Sequence, residues 1–208
     1  MYLRIKYFFD KIIAFLLLII FLPFLFIIML LIRFEDSGPA FYFQKRVGQH
    51  GKVFKIIKFR TMKNDSENLL LTMLKDNKIR NEWYENYKLK EDPRVTKIGK
   101  VLRYYSLDEL PQLINVLKGD MSIIGPRPVV IDELQKYGKY KQTILKLKPG
   151  ITGWWACNAT PFTTYNERIQ LEYYYAKNIS FHLDIKCFAK TIYTLIFQRK
   201  NKGRSRIW

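Results

Sequence analysis

An uncharged apolar run of 21 residues, Ile12 to Ile32 (IIAFLLLIIFLPFLFIIMLLI), constrains this chain more than any other feature. At 1.5 Å rise per residue a helix of that length measures roughly 30 Å, enough to cross a bilayer core. So small a domain has little room to bury a uniformly apolar helix. No A-x-A-like site precedes Arg33-Phe34-Glu35-Asp36, and the run is too long for a cleaved signal peptide. A membrane-embedded segment is therefore expected. Arg4, Lys6 and Lys11 precede it, and Arg33, Lys45, Arg46 and Lys52 follow it. Basic flanks belong on the cytoplasmic side, and here both qualify. A hairpin that enters and leaves on one face satisfies both, whereas a spanning helix does not. Pro23, near the middle, removes a backbone donor and bends a helix, which favours re-entry only slightly over a kinked spanning helix. The expected division is a basic flank with the membrane helix at 1–32 and a folded domain at 33–208.

The charge asks for a polyanion. Lys and Arg number 36 against 18 Asp and Glu, a formal net of +18 among 208 residues. Nucleic acid, an anionic membrane face and phosphorylated substrates all fit, but the chain carries no nucleic-acid reader motif. With 49% apolar residues the chain can bury a core, so disorder is excluded. One bridge between Cys157 and Cys187 is possible, but two free thiols in a reducing compartment is the better reading. The two histidines, His50 and His182, make no zinc spacing with them.

The rest reads as an α+β domain. Phe41 to Val47 and Lys52 to Phe59 are expected strands, joined at Gly48-Gln49-His50-Gly51 into a hairpin. Residues 64–92 read as helix with a flexible approach to Asp92-Pro93. Leu110, Leu113, Ile114 and Leu117 recur at helical spacing, with Lys118-Gly119 as a stop. Pro111 is tolerated only in a first turn, which places the helix start near Asp108. Met121 to Ile124 reads as a short buried strand running into Gly125-Pro126-Arg127-Pro128. Thr164-x-x-Glu167 is a capping-box signature. From Phe181 to Phe197 a stripe of Phe181, Ile185, Phe188, Ile192 and Leu195 suits either the core, the commoner arrangement, or a bilayer interface. The basic tail Arg199 to Arg206 is expected near anionic lipid.

Adjacent carboxylates at Asp108 and Glu109, read as lying at a helix N-terminus, gain from the helix dipole and stay ionised, as a nucleophile or metal ligand requires. Capping alone is the competing reading. Arg127, held between two prolines, suits bidentate phosphate recognition or a structural ion pair. Lys55, Lys58 and Arg60 form a basic cluster that in isolation reads as a solvated face.

The string SLDELPQLINVLKGDMSIIGPRP at 106–128 closely resembles the bacterial sugar transferase family, the monotopic phosphoglycosyl transferases. The resemblance continues through KFRTM (58–62), RVTKIGKVLR (94–103), KPGITGWW (148–155) and LDIK (183–186), and includes the membrane segment with its proline. It covers essentially the whole chain and is similar to the compact catalytic form. It implies transfer of a sugar phosphate from a UDP-sugar to undecaprenyl phosphate at the cytosolic face of the bacterial inner membrane, with release of UMP and initiation of polysaccharide or glycan assembly. It further implies Asp108 as nucleophile forming a covalent phosphosugar enzyme, Glu109 beside it, and Mg2+ held near both. Lys58, Arg60, Arg103 and Arg127 would bind phosphates, and Asp184 would give polar support. Membrane phospholipids are implied partners, nucleic acid is not, and an exposed aromatic stripe leaves a homo-oligomer open. Two departures stand out. The family breaks its re-entrant helix at a Ser-Pro pair, where this chain has Leu22-Pro23. Many relatives carry Gly-Arg after the tryptophans, where this chain reads Ala156-Cys157-Asn158. The second departure motivates an alternative, a non-catalytic membrane-tethered binding module of the same fold.

Overall fold

A computed structural model of the chain describes residues 1–86, 89, 92–160 and 163–196. The basic tail at Arg199 to Arg206 and the end of the last predicted helix at Phe197 lie outside the described residues. The chain forms two compact units: Met1–Leu22, Phe43–Lys58 and Pro111–Trp208 make the first, Pro23–Tyr42 and Phe59–Leu110 the second.

Helix α1 (Tyr2–Glu35) is one 34-residue helix that contains Pro23. In its most apolar 18-residue stretch only 11% of the residues are buried, and Ile20 and Leu22 are 68% and 64% exposed. A core helix of a water-soluble domain would show the reverse, because exposed apolar area costs about 25 cal/mol per Å2 in water. The surface of α1 is built for lipid.

Strands β1 (Phe41–Val47) and β2 (Val53–Phe59), of which Phe43–Lys58 belongs to the first unit, form the predicted hairpin. Its turn is a 3-10 stretch, Gln49–Gly51, in which His50 and Gly51 take φ of 56° and 80°. Phe54 and Ile56 of β2 pack with Ala14 of α1 and with Leu113, Val116 and Met121. Two of these lie on α5 (Gln112–Lys118), which ends at the predicted stop, Gly119, with φ of 87°. The buried side chain of Asn115 clasps β2, accepting from Ile57 N–H at 3.0 Å and donating to Lys55 C=O at 2.8 Å. Strand β3 (Ser122–Ile124) runs parallel to β4 (Gly150–Thr152), with Ser122 opposite Gly150. A long 3-10 stretch at Asp132–Tyr140 and a short helix at Lys141–Ile144 lie between them in sequence.

Three helices follow β4: Trp154–Asn158, Tyr165–Lys177 and Phe181–Ile196. The second opens with the predicted capping box, in which Glu167 accepts from Thr164 N–H at 2.7 Å and Thr164 Oγ1 accepts from Glu167 N–H. The last helix corrects an expectation. Phe181, Ile185, Phe188 and Ile192, the stripe for which core packing was the commoner reading, are exposed, and Leu183, Asp184 and Cys187 face inward instead. Spacing identifies a stripe but not what covers it.

The second unit gathers Ile28 and Ile32 of α1 with Ala40, Phe59 and Leu102. Phe41 stacks on Phe59 at 5.3 Å. Among the described residues of 64–92 there are two helices, Ser66–Met73 and Asn77–Asn86, and most of the expected approach to Asp92-Pro93 lies outside the described residues. They are followed by the helix Lys97–Tyr105, which positions the chemistry.

Candidate active site

The helix Lys97–Tyr105 is fixed at its start from two directions. Thr96 Oγ1 accepts from Gly99 N–H at 2.9 Å, and the Glu35 carboxylate accepts from Lys97 and Ile98 N–H at 2.6 and 2.9 Å. Carboxylates are favoured there, because the first N–H groups have no partners within the helix. A Cβ at Gly99 would lie 2.1 Å from the Thr61 carbonyl oxygen, so the helix meets Thr61 backbone to side-chain-free backbone.

That packing sets Arg103, in the last turn. Its Nε donates to Thr61 Oγ1 at 2.9 Å. Burial pulls the guanidinium pKa down; Asp108 and Asp92 oppose this, and Arg94 adds to it. Arg94 is itself buried and grips Asp92 through Nε and a terminal nitrogen at 2.8 and 2.6 Å. Burial acts against Asp92, yet these hydrogen bonds hold its carboxyl below the ordinary value. After Ser106, in the left-handed region at φ 55°, a 3-10 turn at Leu107–Glu109 presents half-buried Asp108 and Glu109. Asp108 thus stands within electrostatic reach of Arg103.

The predicted helix start near Asp108 is therefore corrected: α5 begins at Gln112, after Pro111. Neither carboxylate lies in its first turn, so the dipole argument lapses and Arg103 is the favourable neighbour instead. Two half-buried hard-oxygen ligands fit Mg2+, which typically takes one or two carboxylates and completes its shell with water and substrate phosphates. No group of three or more metal-ligating side chains occurs among the described residues.

Arg60 belongs to the same unit but is turned into the chain. It donates to Asn64 Oδ1 and, at 2.5 Å, to Asp36 C=O, and its guanidinium stands 3.7 Å from the Asp36 carboxylate. Gly38 makes room for it, since a Cβ there would overlap the guanidinium. These contacts brace the exit from α1.

Lys58, Arg127 and Asp184 lie in the first unit. Lys58 is half-buried near the end of β2. Arg127 is set by its neighbours' backbone. Gly150 N–H donates to Pro126 C=O at 2.8 Å, Gly125 N–H to Thr152 C=O at 2.9 Å and Val47 N–H to Val129 C=O at 2.8 Å, while Arg46 donates to Pro128 C=O at 3.0 Å. Its guanidinium lies over Trp155, 5.5 Å from the ring centroid.

Asp184 anchors α1. It accepts from the Tyr2 and Tyr175 hydroxyls at 2.5 Å each and faces Lys6 Nζ at 3.3 Å. Lys6 is 5% exposed and also pairs with Asp10 at 3.1 Å and donates to Ser122. Removing one partner from a buried ionic cluster costs about 3–5 kcal/mol. Asp184→Ala is expected to lose stability on that scale, read as a large drop in the thermal midpoint of detergent-solubilised protein. Thr61, Arg94 and Lys6 were not singled out from the sequence; the RVT and KFRTM strings held two of them. Cys157 and Cys187 are not joined in a disulfide, as expected.

The bacterial sugar transferase family model matches residues 1–198. The exopolysaccharide production protein ExoY of Sinorhizobium fredii is 42% identical over 92% of this chain and 85% of its own length. The undecaprenyl-phosphate galactose phosphotransferase of Salmonella typhimurium is 46% identical over 76% of this chain but 33% of its own length. The UDP-glucose:undecaprenyl-phosphate glucose-1-phosphate transferase of Escherichia coli is 35% identical over 88% and 38% respectively. The chain thus spans most of the short relative and 33% and 38% of the long ones. With a match of this extent, the chain belongs to the bacterial sugar transferase family.

Proposed function

We propose that the protein transfers a sugar 1-phosphate from a UDP-sugar to undecaprenyl phosphate, releasing UMP, as the initiating step of exopolysaccharide or capsule assembly. The names of its relatives support the substrates. The observation that carries the reading is a half-buried Asp108 presented on a tight turn beside the desolvated Arg103. An Asp108 carboxylate oxygen attacks the sugar-linked phosphorus, and the bond to the UMP oxygen breaks. The undecaprenyl phosphate oxygen then attacks the same phosphorus and frees Asp108. Arg103 stabilises charge on the phosphoryl group. Lys58 and Arg127 are the further phosphate ligands, and Arg60 acts on substrate only through the turn it braces. Mg2+, held by Asp108 and Glu109, would neutralise phosphate charge.

The membrane segment is re-entrant in this reading. Tyr2, Lys6 and Asp10, at the start of α1, bond to Ser122 and Asp184. Among the described residues no second helix is long and apolar enough to return the chain across a bilayer. The start of α1 therefore shares a face with the chain that follows it, the cytosolic face. The exposed stripe on the last helix, with Phe181 and Phe188, then lies in the interface. Cysteine labelling of sites next to Met1 and Ser180 in spheroplasts should find both shielded from the outside; external reactivity near Met1 would make α1 a spanning helix.

UMP release should be observed in detergent with undecaprenyl phosphate, Mg2+ and at least one member of a UDP-sugar panel. No release from any donor, with retained binding to anionic vesicles, would favour the non-catalytic module.

A further inference from the structure

Two lysine side chains of the first unit converge over one glycine. A Cβ built on Gly119 would lie 3.5 Å from Lys148 Nζ and 3.6 Å from Lys11 Nζ. The two ammonium nitrogens are therefore no farther apart than the sum of those distances. Tyr7, one turn before Lys11 on α1, brings Lys148 there. Its hydroxyl accepts from Lys148 N–H at 3.0 Å, and its ring lies under Lys148 Nζ, 4.6 Å from the centroid.

Both charges lack an anionic partner. Among the described residues neither ammonium has an ion pair or a hydrogen-bond acceptor. Asp10, next to Lys11 in sequence, is taken by Lys6 at 3.1 Å and by the Ser122 hydroxyl at 2.5 Å. Asp120 reaches Lys148 only as a more distant charge. The carbonyl end of α5, at Gly119, offsets part of the repulsion between the lysines. Burial and Lys11 still pull the Lys148 pKa down, against Asp10 and Asp120.

We propose that Lys11 and Lys148 form a binding site for one phosphate group, whose oxygens bridge the two ammonium groups beside Gly119, and that this phosphate belongs to an anionic lipid headgroup. Charge-assisted hydrogen bonds of about 2.8 Å, one from each side of a phosphate, span a gap of this size. The position along α1 identifies the source. Lys11 immediately precedes the uncharged run, and Ile12 and Ile13 are already exposed. Lys11 thus stands at the level where the helix enters lipid, the level of the headgroups. The site uses none of the residues assigned to the reaction, and it stands whether α1 re-enters or spans.

The test is a titration of detergent-solubilised protein, in a neutral maltoside, with dihexanoyl phosphatidylglycerol below its own micelle concentration. A parallel arm uses inorganic phosphate at constant ionic strength. A ligand of the native state raises the thermal midpoint saturably, and the half-point reports affinity. In Lys11→Gln or Lys148→Gln the lipid half-point should rise about fivefold, and in the double variant about thirtyfold. Lys177→Gln, which removes an exposed charge elsewhere in the same unit, should leave it unmoved. Contacts of the lipid tails with α1 are common to all these proteins and cancel.

Lysine-dependent stabilisation by the lipid and not by inorganic phosphate upholds the headgroup site. The same dependence with inorganic phosphate alone upholds a phosphate site and overturns the lipid as its source. Equal half-points in wild type and the double variant overturn the proposal. So does a shift in Lys177→Gln as large as in Lys11→Gln, which would mean that charge acts diffusely. Should the double variant not fold, Lys11→Gln, at an exposed position, decides alone.

Discussion

Asp108→Asn is expected to abolish UMP release, lowering kcat by about 10^3-fold or more, because an amide oxygen cannot form the acyl phosphate on which a two-step transfer depends. The substitution preserves size at a half-buried position, so the thermal midpoint should change little. The neighbouring Glu109→Gln is expected to keep a residual rate, since in the proposed reaction Glu109 would hold Mg2+ while Asp108 makes the attack. Rapid-quench trapping separates the routes. Labelled sugar phosphate should appear on wild-type protein before it appears on lipid, and on the Asp108→Asn variant not at all. Wild-type turnover by Asp108→Asn would remove Asp108 from the reaction.

Gly150→Ala is expected to be severely damaging to the first unit. The added Cβ would meet Gly125 N at 2.1 Å and Thr152 O at 2.4 Å, and both are backbone atoms. No side chain can swing aside, so β4 and the Gly125–Pro128 loop must part. Overpacking costs about 1–3 kcal/mol where side chains can yield, and a backbone-on-backbone clash belongs at or above the top of that range. The bond from Gly150 N–H to Pro126 C=O, at 2.8 Å, is lost with it, and Arg127 loses its footing. Denaturant unfolding should show the loss, and any protein that survives should show a raised KM for the UDP-sugar. An unchanged unfolding midpoint would mean that the two segments do not touch.

The parts of this structure that were legible in the sequence are those set by local chemistry. The hairpin turn at Gly48–Gly51, the glycine stop at Gly119 and the Thr164–Glu167 capping box each depend on residues within a few positions of one another. The 21-residue apolar run announced α1 by length alone. What misled were features decided by local backbone conformation or by distant partners. Pro111 pointed to a helix beginning near Asp108, but the left-handed Ser106 and a 3-10 turn intervene. The stripe from Phe181 has the spacing of a core face, yet Asp184 and Cys187 on the other side found the interior, because Tyr2, Lys6 and Tyr175 satisfy the carboxylate there. The basic cluster of Lys55, Lys58 and Arg60 read in isolation as a solvated face, yet Arg60 is buried and donates to Asp36 C=O, 24 residues back, as well as to Asn64. No spacing rule links residues that far apart.

The bonds from Tyr2 and Lys6 to Asp184 join residues nearly a full chain length apart. The segment that holds Tyr2 and Lys6 is made well before its partner. Until Ser122 has been made, Lys6 has only Asp10, one turn away, and the oily stretch behind it must be sheltered by lipid or by a chaperone. Seating in the bilayer is thus completed only after synthesis has passed residue 184. Nascent chains stalled short of that point should be extracted by alkaline carbonate more readily than finished ones.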